Sequence, residues 1–107
     1  MNDRLLGMVG LAVRAGKAAF GVFMTEKAID EGRASLVIAA EDIGASNRRR
    51  IEGRCQEADI RLIFYSDKAS LSRAAGKKDM PVIAICDDGF AGAIAKKLDT
   101  KSGHTTV

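Results

Sequence analysis

Hydrophobic positions along the chain change their period repeatedly, and each change marks an element. Over residues 3–15, Leu5, Leu6, Val9, Ala12 and Val13 recur at helical spacing, with Asn2 or Asp3 placed to cap the start and Gly16 to end it. Lys17 to Phe20 is long enough for a small strand, which Gly21 closes. Residues 22–31 read as a second helix with Phe23, Met24, Ala28 and Ile29 turned inward, stopping at Gly32. Leu36-Val37-Ile38-Ala39-Ala40 is a continuous apolar run, as expected of a strand buried on both faces. A third helix is expected from a cap at Ser46 or Asn47, burying Ile51, Cys55 and Ala58. Ile60 to Tyr65 is the next strand. Ser66 or Asp67 then caps a short helix that carries Leu71, Ala74 and Ala75 and stops at Gly76. Pro81 opens a final strand through Cys86, at the first position, which tolerates proline best. Asp87 or Asp88 caps a fifth helix through Leu98, with Phe90 and Ile94 inward.

Helix and strand alternate from end to end. This predicts the α/β class: a single-domain, three-layer α/β/α sandwich around a mixed, mostly parallel four-stranded sheet. The domain is expected to span residues 1–98, with residues 99–107 as a frayed polar tail. No internal repeat or linker divides the chain.

Composition changes this picture in two ways. Aromatic residues make up only 5% of the chain while 47% is hydrophobic, so the core must be built from Ala, Leu, Ile and Val. Cys55 and Cys86 both fall inside apolar patterns, which favours free thiols and a reducing, cytoplasmic setting over a disulfide. No apolar segment reaches the length of a membrane span, so no membrane partner is expected.

Enzyme chemistry finds little support. The one histidine, His104, lies in the tail, so neither a Ser-His-Asp system nor a zinc ligand set can be assembled, and no cofactor or metal is expected. Gly10 to Lys17 imitates a phosphate-binding loop but has one residue too many, and Ala18 stands where a magnesium-holding hydroxyl belongs. Glu41-Asp42 and Asp87-Asp88 each follow a buried strand, where α/β folds place ligands, and by this pattern they share one sheet edge. Each pair also precedes a helix, and capping is the preferred reading.

The net charge of +3 permits a polyanionic partner without demanding one. Basic residues stand where binding would use them: Lys17 beside the first strand, Lys27 in the second helix, Arg48-Arg49-Arg50 opening the third, and Lys77-Lys78 before the last strand. Helix N-termini add free N–H donors suited to phosphate.

Several stretches resemble the L7Ae/L30e ribosomal protein superfamily of kink-turn RNA binders. They are Gly10-Leu11-Ala12-Val13-Arg14-Ala15-Gly16-Lys17, Gly21 with Lys27-Ala28-Ile29 and Gly32, Leu36 through Asp42, Leu71 through Gly76, and Pro81 through Ile85 leading to Gly89-Phe90-Ala91. The resemblance covers residues 3–98, and the first and last motifs are most similar to the bacterial YlxQ-like branch. It implies a structured-RNA-binding protein, ribosome-associated, with no catalytic residues. It also implies contacts at Gly21, where the backbone meets RNA closely, at Lys27, and in the loop Gly76, Lys77, Lys78 to Met80; the basic residues Lys17 and Arg48 are expected to add phosphate contacts. Where typical kink-turn binders place Asn and Glu to read sheared guanines, this chain has Phe23 and Met24, which cannot make those hydrogen bonds. Phe23 therefore has two readings: a core residue, favoured by the inward stripe, or a platform for an unpaired base. The alternative function is a protein-interaction module on the same scaffold, in which Phe23 and Met24 form an exposed apolar patch.

Overall fold

A computed structural model describes residues 3–102. Asn2 and His104, considered above, lie outside the described residues. Asp3 Oδ1 accepts from the Leu6 N–H at 3.0 Å and starts α1 (Arg4–Arg14). Eight elements follow: β1 (Ala18–Phe20), α2 (Gly21–Asp30), β2 (Leu36–Ala39), α3 (Ala45–Ala58), β3 (Leu62–Phe64), α4 (Lys68–Ala75), β4 (Val82–Ile85) and α5 (Asp88–Ser102). Asp67 caps α4 by accepting from the Ser70 N–H, and that bond holds its carboxyl below the usual range. Asp87 Oδ2 accepts from the Phe90 N–H and caps α5.

The strands form one sheet in the order β1-β4-β2-β3. Strands β2 and β3 pair in parallel, whereas β4 runs antiparallel to both β1 and β2. Three strands therefore share a direction, as the alternation of elements predicts. Because the reversed β4 is inserted between β1 and β2, two of the three neighbouring pairs are antiparallel.

The alternating faces of the strands divide the core. Leu36, Ile38, Ile63, Ile83 and Ile85 face α1, α4 and α5, packing on Leu5, Val9, Leu71 and Ile94. Val37, Ala39, Val82 and Ala84 face α2 and α3, packing on Ala28, Ile29, Ile51 and Cys55. Each fully buried Leu or Ile contributes on the order of 1.5–3 kcal/mol of transfer free energy.

Three expectations need correction. Helix α3 starts at an N-cap on Gly44 with no side-chain bond, so neither Ser46 nor Asn47 caps it. Its buried stripe is Ile51 and Cys55, while Ala58, in the last turn, is exposed. Helix α5 passes the expected stop at Leu98 and runs to Ser102, because no glycine or proline intervenes to break it.

Burial pushes the Cys55 thiol up to about 11. A folded-state value above the unfolded one means that protons bind the folded chain more tightly. This contribution to stability is complete below the ordinary thiol value of 9.0 and is lost as pH rises through about 11. Denaturant titrations between those values should show stability falling, and Cys55→Ala should flatten the fall.

Candidate functional site

The register brings the C-terminal ends of β1, β2 and β3 together with the N-terminal end of β4. Phe20 pairs with Ile83, Ala39 with Val82, and Ala39 with Phe64. The connecting loops are tied there: the Ala40 N–H donates to the Pro81 carbonyl at 2.8 Å, and the Glu41 N–H to that of Ser66 at 2.8 Å. With strands about 4.8 Å apart, this end is roughly 14 Å wide from β1 to β3.

At the β1 side, Gly21 opens α2 with φ +85, a conformation that glycine adopts without penalty. A Cβ there would meet nothing within 4 Å, so the glycine serves backbone geometry, not close packing. The N-cap, Phe20, contributes no side-chain bond, and the first turn has no acidic residue. The first N–H donors of α2 thus keep no capping side chain, which favours an anion there.

Helix geometry decides the orientation of α2. At about 100° per residue, Phe23 lies about 40° from Lys27 but about 140° from Ala28 and 120° from Ile29. Since Ala28 and Ile29 are buried, Phe23 must point out with Lys27. Phe23 is 72% exposed and Met24 40%, which overturns the inward placement of both. The inner positions are taken by Thr25 and Glu26. Glu26 is held by Arg50 of α3 through two bonds, at 2.6 and 2.7 Å, and Arg54 bonds Asp30 one turn further on. These ion pairs tie α2 to α3, and they remove Arg50 and Arg54 from the set of free cations.

The loop that follows α4 meets the same site. Gly76 ends α4 in the left-handed conformation, φ +69. Lys77 then places its ammonium 4.8 Å from the centre of the Phe20 ring, immediately before Gly21. Lys78 is exposed beside it. The Ser72 hydroxyl accepts from the Met80 N–H at 2.7 Å and fixes the loop's return. On the β3 side, Arg48 stacks 4.2 Å from the centre of the Phe64 ring and also bonds Glu52 at 3.3 Å.

Gly21, Phe23, Met24, Lys27, Arg48, Gly76, Lys77 and Lys78 are therefore all carried by elements that start or stop at one end of the sheet. Lys17 is not. Its carbonyl accepts from the Cys86 N–H, at the far end of β1, so the length of β1 separates it from Gly21. The reversal of β4 likewise carries Asp87 and Asp88 to that far end, away from Glu41 and Asp42. Asp88 accepts from the Ser35 hydroxyl at 2.7 Å, and Asp42 accepts from the first N–H of α4, Lys68, at 2.8 Å. These carboxylates act as hydrogen-bond acceptors at separate places. Among the described residues, no group of three or more His, Cys, Asp or Glu could hold a metal ion, and no helix is long and apolar enough to cross a membrane.

The model of the ribosomal protein L7Ae/L30e/S12e/Gadd45 family matches residues 3–94. A protein named RNA-binding protein YlxQ, from Bacillus subtilis (strain 168), is 32% identical over 86% of this chain and 92% of its own length. A second of that name, from Enterococcus faecium, is 26% identical over 84% and 86%. A protein of unknown function from Bacillus halodurans C superposes with a TM-score of 0.87 at 30% identity, covering 92% of this chain and 99% of its own. The Giardia lamblia 15.5kD RNA binding protein shares the fold, with a TM-score of 0.76 at 21% identity over 94% of this chain and 89% of its own.

Proposed function

The chain belongs to the ribosomal protein L7Ae/L30e/S12e/Gadd45 family, and we propose that it binds structured RNA, kinked or bulged, through the end of the sheet that carries Gly21. The observation that carries this reading is the outward face of α2, where Phe23, Met24 and Lys27 stand exposed beside an uncapped helix start, with Lys77 held over Phe20. Lys27, Lys77 and Lys78 supply phosphate contacts, which set affinity and register more than sequence choice. Phe23 supplies a face on which an unpaired base stacks, a contact worth roughly 1–3 kcal/mol that any base can satisfy.

The pairing of a stacking platform with cations defines the specificity. A good hydrogen-bonded base contact discriminates by about 1–3 kcal/mol, and Phe23 and Met24 make none. The protein accordingly favours an RNA whose shape exposes a base over one sequence of bases. The names of the curated relatives support RNA as the partner, and a ribosomal RNA in the cytoplasm is the expected target. The role is binding, with no catalytic step assigned to any residue.

Exposure of Phe23 and Met24 also favours a second reading, an apolar patch that docks a protein. Crosslinking in cells followed by sequencing of bound RNA separates the two. Recovery of a discrete structured RNA is expected, and Lys27→Ala should reduce it and lower the salt slope of binding by about one. A protein partner retained after ribonuclease treatment, with no RNA enriched, would overturn the proposal.

A further inference from the structure

Helices α1 and α4 do not close on one another along their full length. Between them runs a groove of ≈ 610 Å³, lined by Gly7, Gly10, Arg14, Ser66, Ser70 and Arg73 among others. Its depth has a local cause. Gly7 has open space where a Cβ would stand, and Gly10 lies so close to α4 that a Cβ would sit 3.3 Å from the Ala74 carbonyl oxygen. The backbones meet at Gly10 and the groove opens beside that contact.

The charge on this groove is unbalanced. Arg14 and Arg73 are exposed, and neither makes an ion pair among the described residues. Asp3, also on the lining, is already engaged, since it accepts from the Leu6 N–H and the Tyr65 hydroxyl. Ser66 adds a hydroxyl group, which can donate to a phosphate oxygen, whereas the Ser70 hydroxyl bonds the Asp67 carboxylate. Arg73 has a second role. It also lines a groove of ≈ 490 Å³ on the other side of α4, where Lys68 pairs with Asp79 and Asp42 adds a second carboxylate, while Lys77 and Lys78 supply the remaining positive charge. Arg73 thus joins the groove that holds Arg14 to the one that Lys77 and Lys78 line beside the Gly21 face.

We propose that the groove between α1 and α4 is a second RNA contact, holding the sugar–phosphate backbone of the helix that flanks the bound bulge, with Arg14 and Arg73 as its phosphate ligands. The proposal rests on the RNA-binding reading above and extends the footprint beyond the Gly21 face. Two exposed guanidinium groups on an open groove, with only the longer-range attraction of Asp67 on Arg73, suit phosphates, each of which accepts paired N–H donors. Loss of two such contacts reduces the slope of log affinity against log salt by about 1.8.

The test uses a bulged stem-loop RNA in two lengths, one with a long flanking stem and one truncated next to the bulge. The paired substitution Arg14→Ala/Arg73→Ala should weaken binding of the long RNA on the order of tenfold at low salt and flatten its salt slope by about 1.8, without changing binding of the truncated RNA. Arg14→Lys/Arg73→Lys should restore most of the slope, and a matching melting temperature for all forms shows that they fold. An unchanged slope on the long RNA, or an equal loss on both RNAs, would overturn the groove assignment while leaving the Gly21 face intact. Absence of RNA binding by the unsubstituted protein would remove the proposed function and this extension together.

Discussion

Phe23→Ala is expected to weaken RNA binding by about 10- to 100-fold, the effect of losing one base stacked on an aromatic ring. The melting temperature should not fall, because a side chain that is 72% exposed contributes little to the core. Phe23→Trp keeps a planar face and should bind nearly as well as the parent, whereas Phe23→Leu keeps hydrophobicity but no ring and should behave like alanine. That contrast separates stacking from simple apolar contact. Electrophoretic or fluorescence titration with a bulged RNA, alongside a thermal melt, reads both quantities. A drop in stability without a drop in affinity would mean that Phe23 packs inward after all.

The opposite outcome is expected at Ile83. This residue is fully buried in β4, paired with Phe20 on one side and Ile38 on the other. It sits in the cluster built with α1, α4 and α5. Ile83→Ala removes buried methyl groups and leaves a cavity in a close-packed layer, which costs about 2–5 kcal/mol. For a domain whose whole stability is about 5–15 kcal/mol, the melting temperature should fall by roughly 10–20 °C. The folded fraction should still bind RNA, with some loss because β4 anchors the loop carrying Lys77 and Lys78. Measurement at low temperature, where the variant remains folded, should return most of the affinity. A variant as stable as the parent would contradict the placement of β4 at the centre of the sheet.

These two residues also show what the sequence could convey. Ile83 was legible because a run of apolar residues bounded by Pro81 and Asp87 fits a doubly buried strand and little else. Phe23 was misread because α2 inverts the usual division. Polar Thr25 and Glu26 are buried, and apolar Phe23 and Met24 are exposed. The phase of the helix could have been taken from Ala28 and Ile29 alone, and that phase sets Phe23 beside Lys27. The partner that lets Glu26 go inward, Arg50, lies 24 residues away on α3, and no local pattern announces it. Strand direction was hidden for a similar reason: alternation of helices and strands does not say that β4 enters the sheet reversed. The Asp87-Asp88 pair, expected at the edge that carries Glu41 and Asp42, therefore lies at the opposite one. Likewise Arg14 and Arg73 look like unrelated surface charges until α1 and α4 pack side by side at Gly10.

The central claim is that one end of this sheet recognises the shape of an RNA by stacking and phosphate contact. It is tested most directly by titrating the protein with a bulged stem-loop and with a fully paired duplex of the same length and base composition, across salt concentrations from about 50 to 200 mM. Binding to the bulged RNA should be tighter by at least about tenfold, and affinity for it should fall steeply with salt. The advantage of the bulge should disappear in Phe23→Ala, while the phosphate contacts of Lys27, Lys77 and Lys78 keep the salt dependence. Equal affinity for the two RNAs, or binding that salt does not weaken, would contradict it.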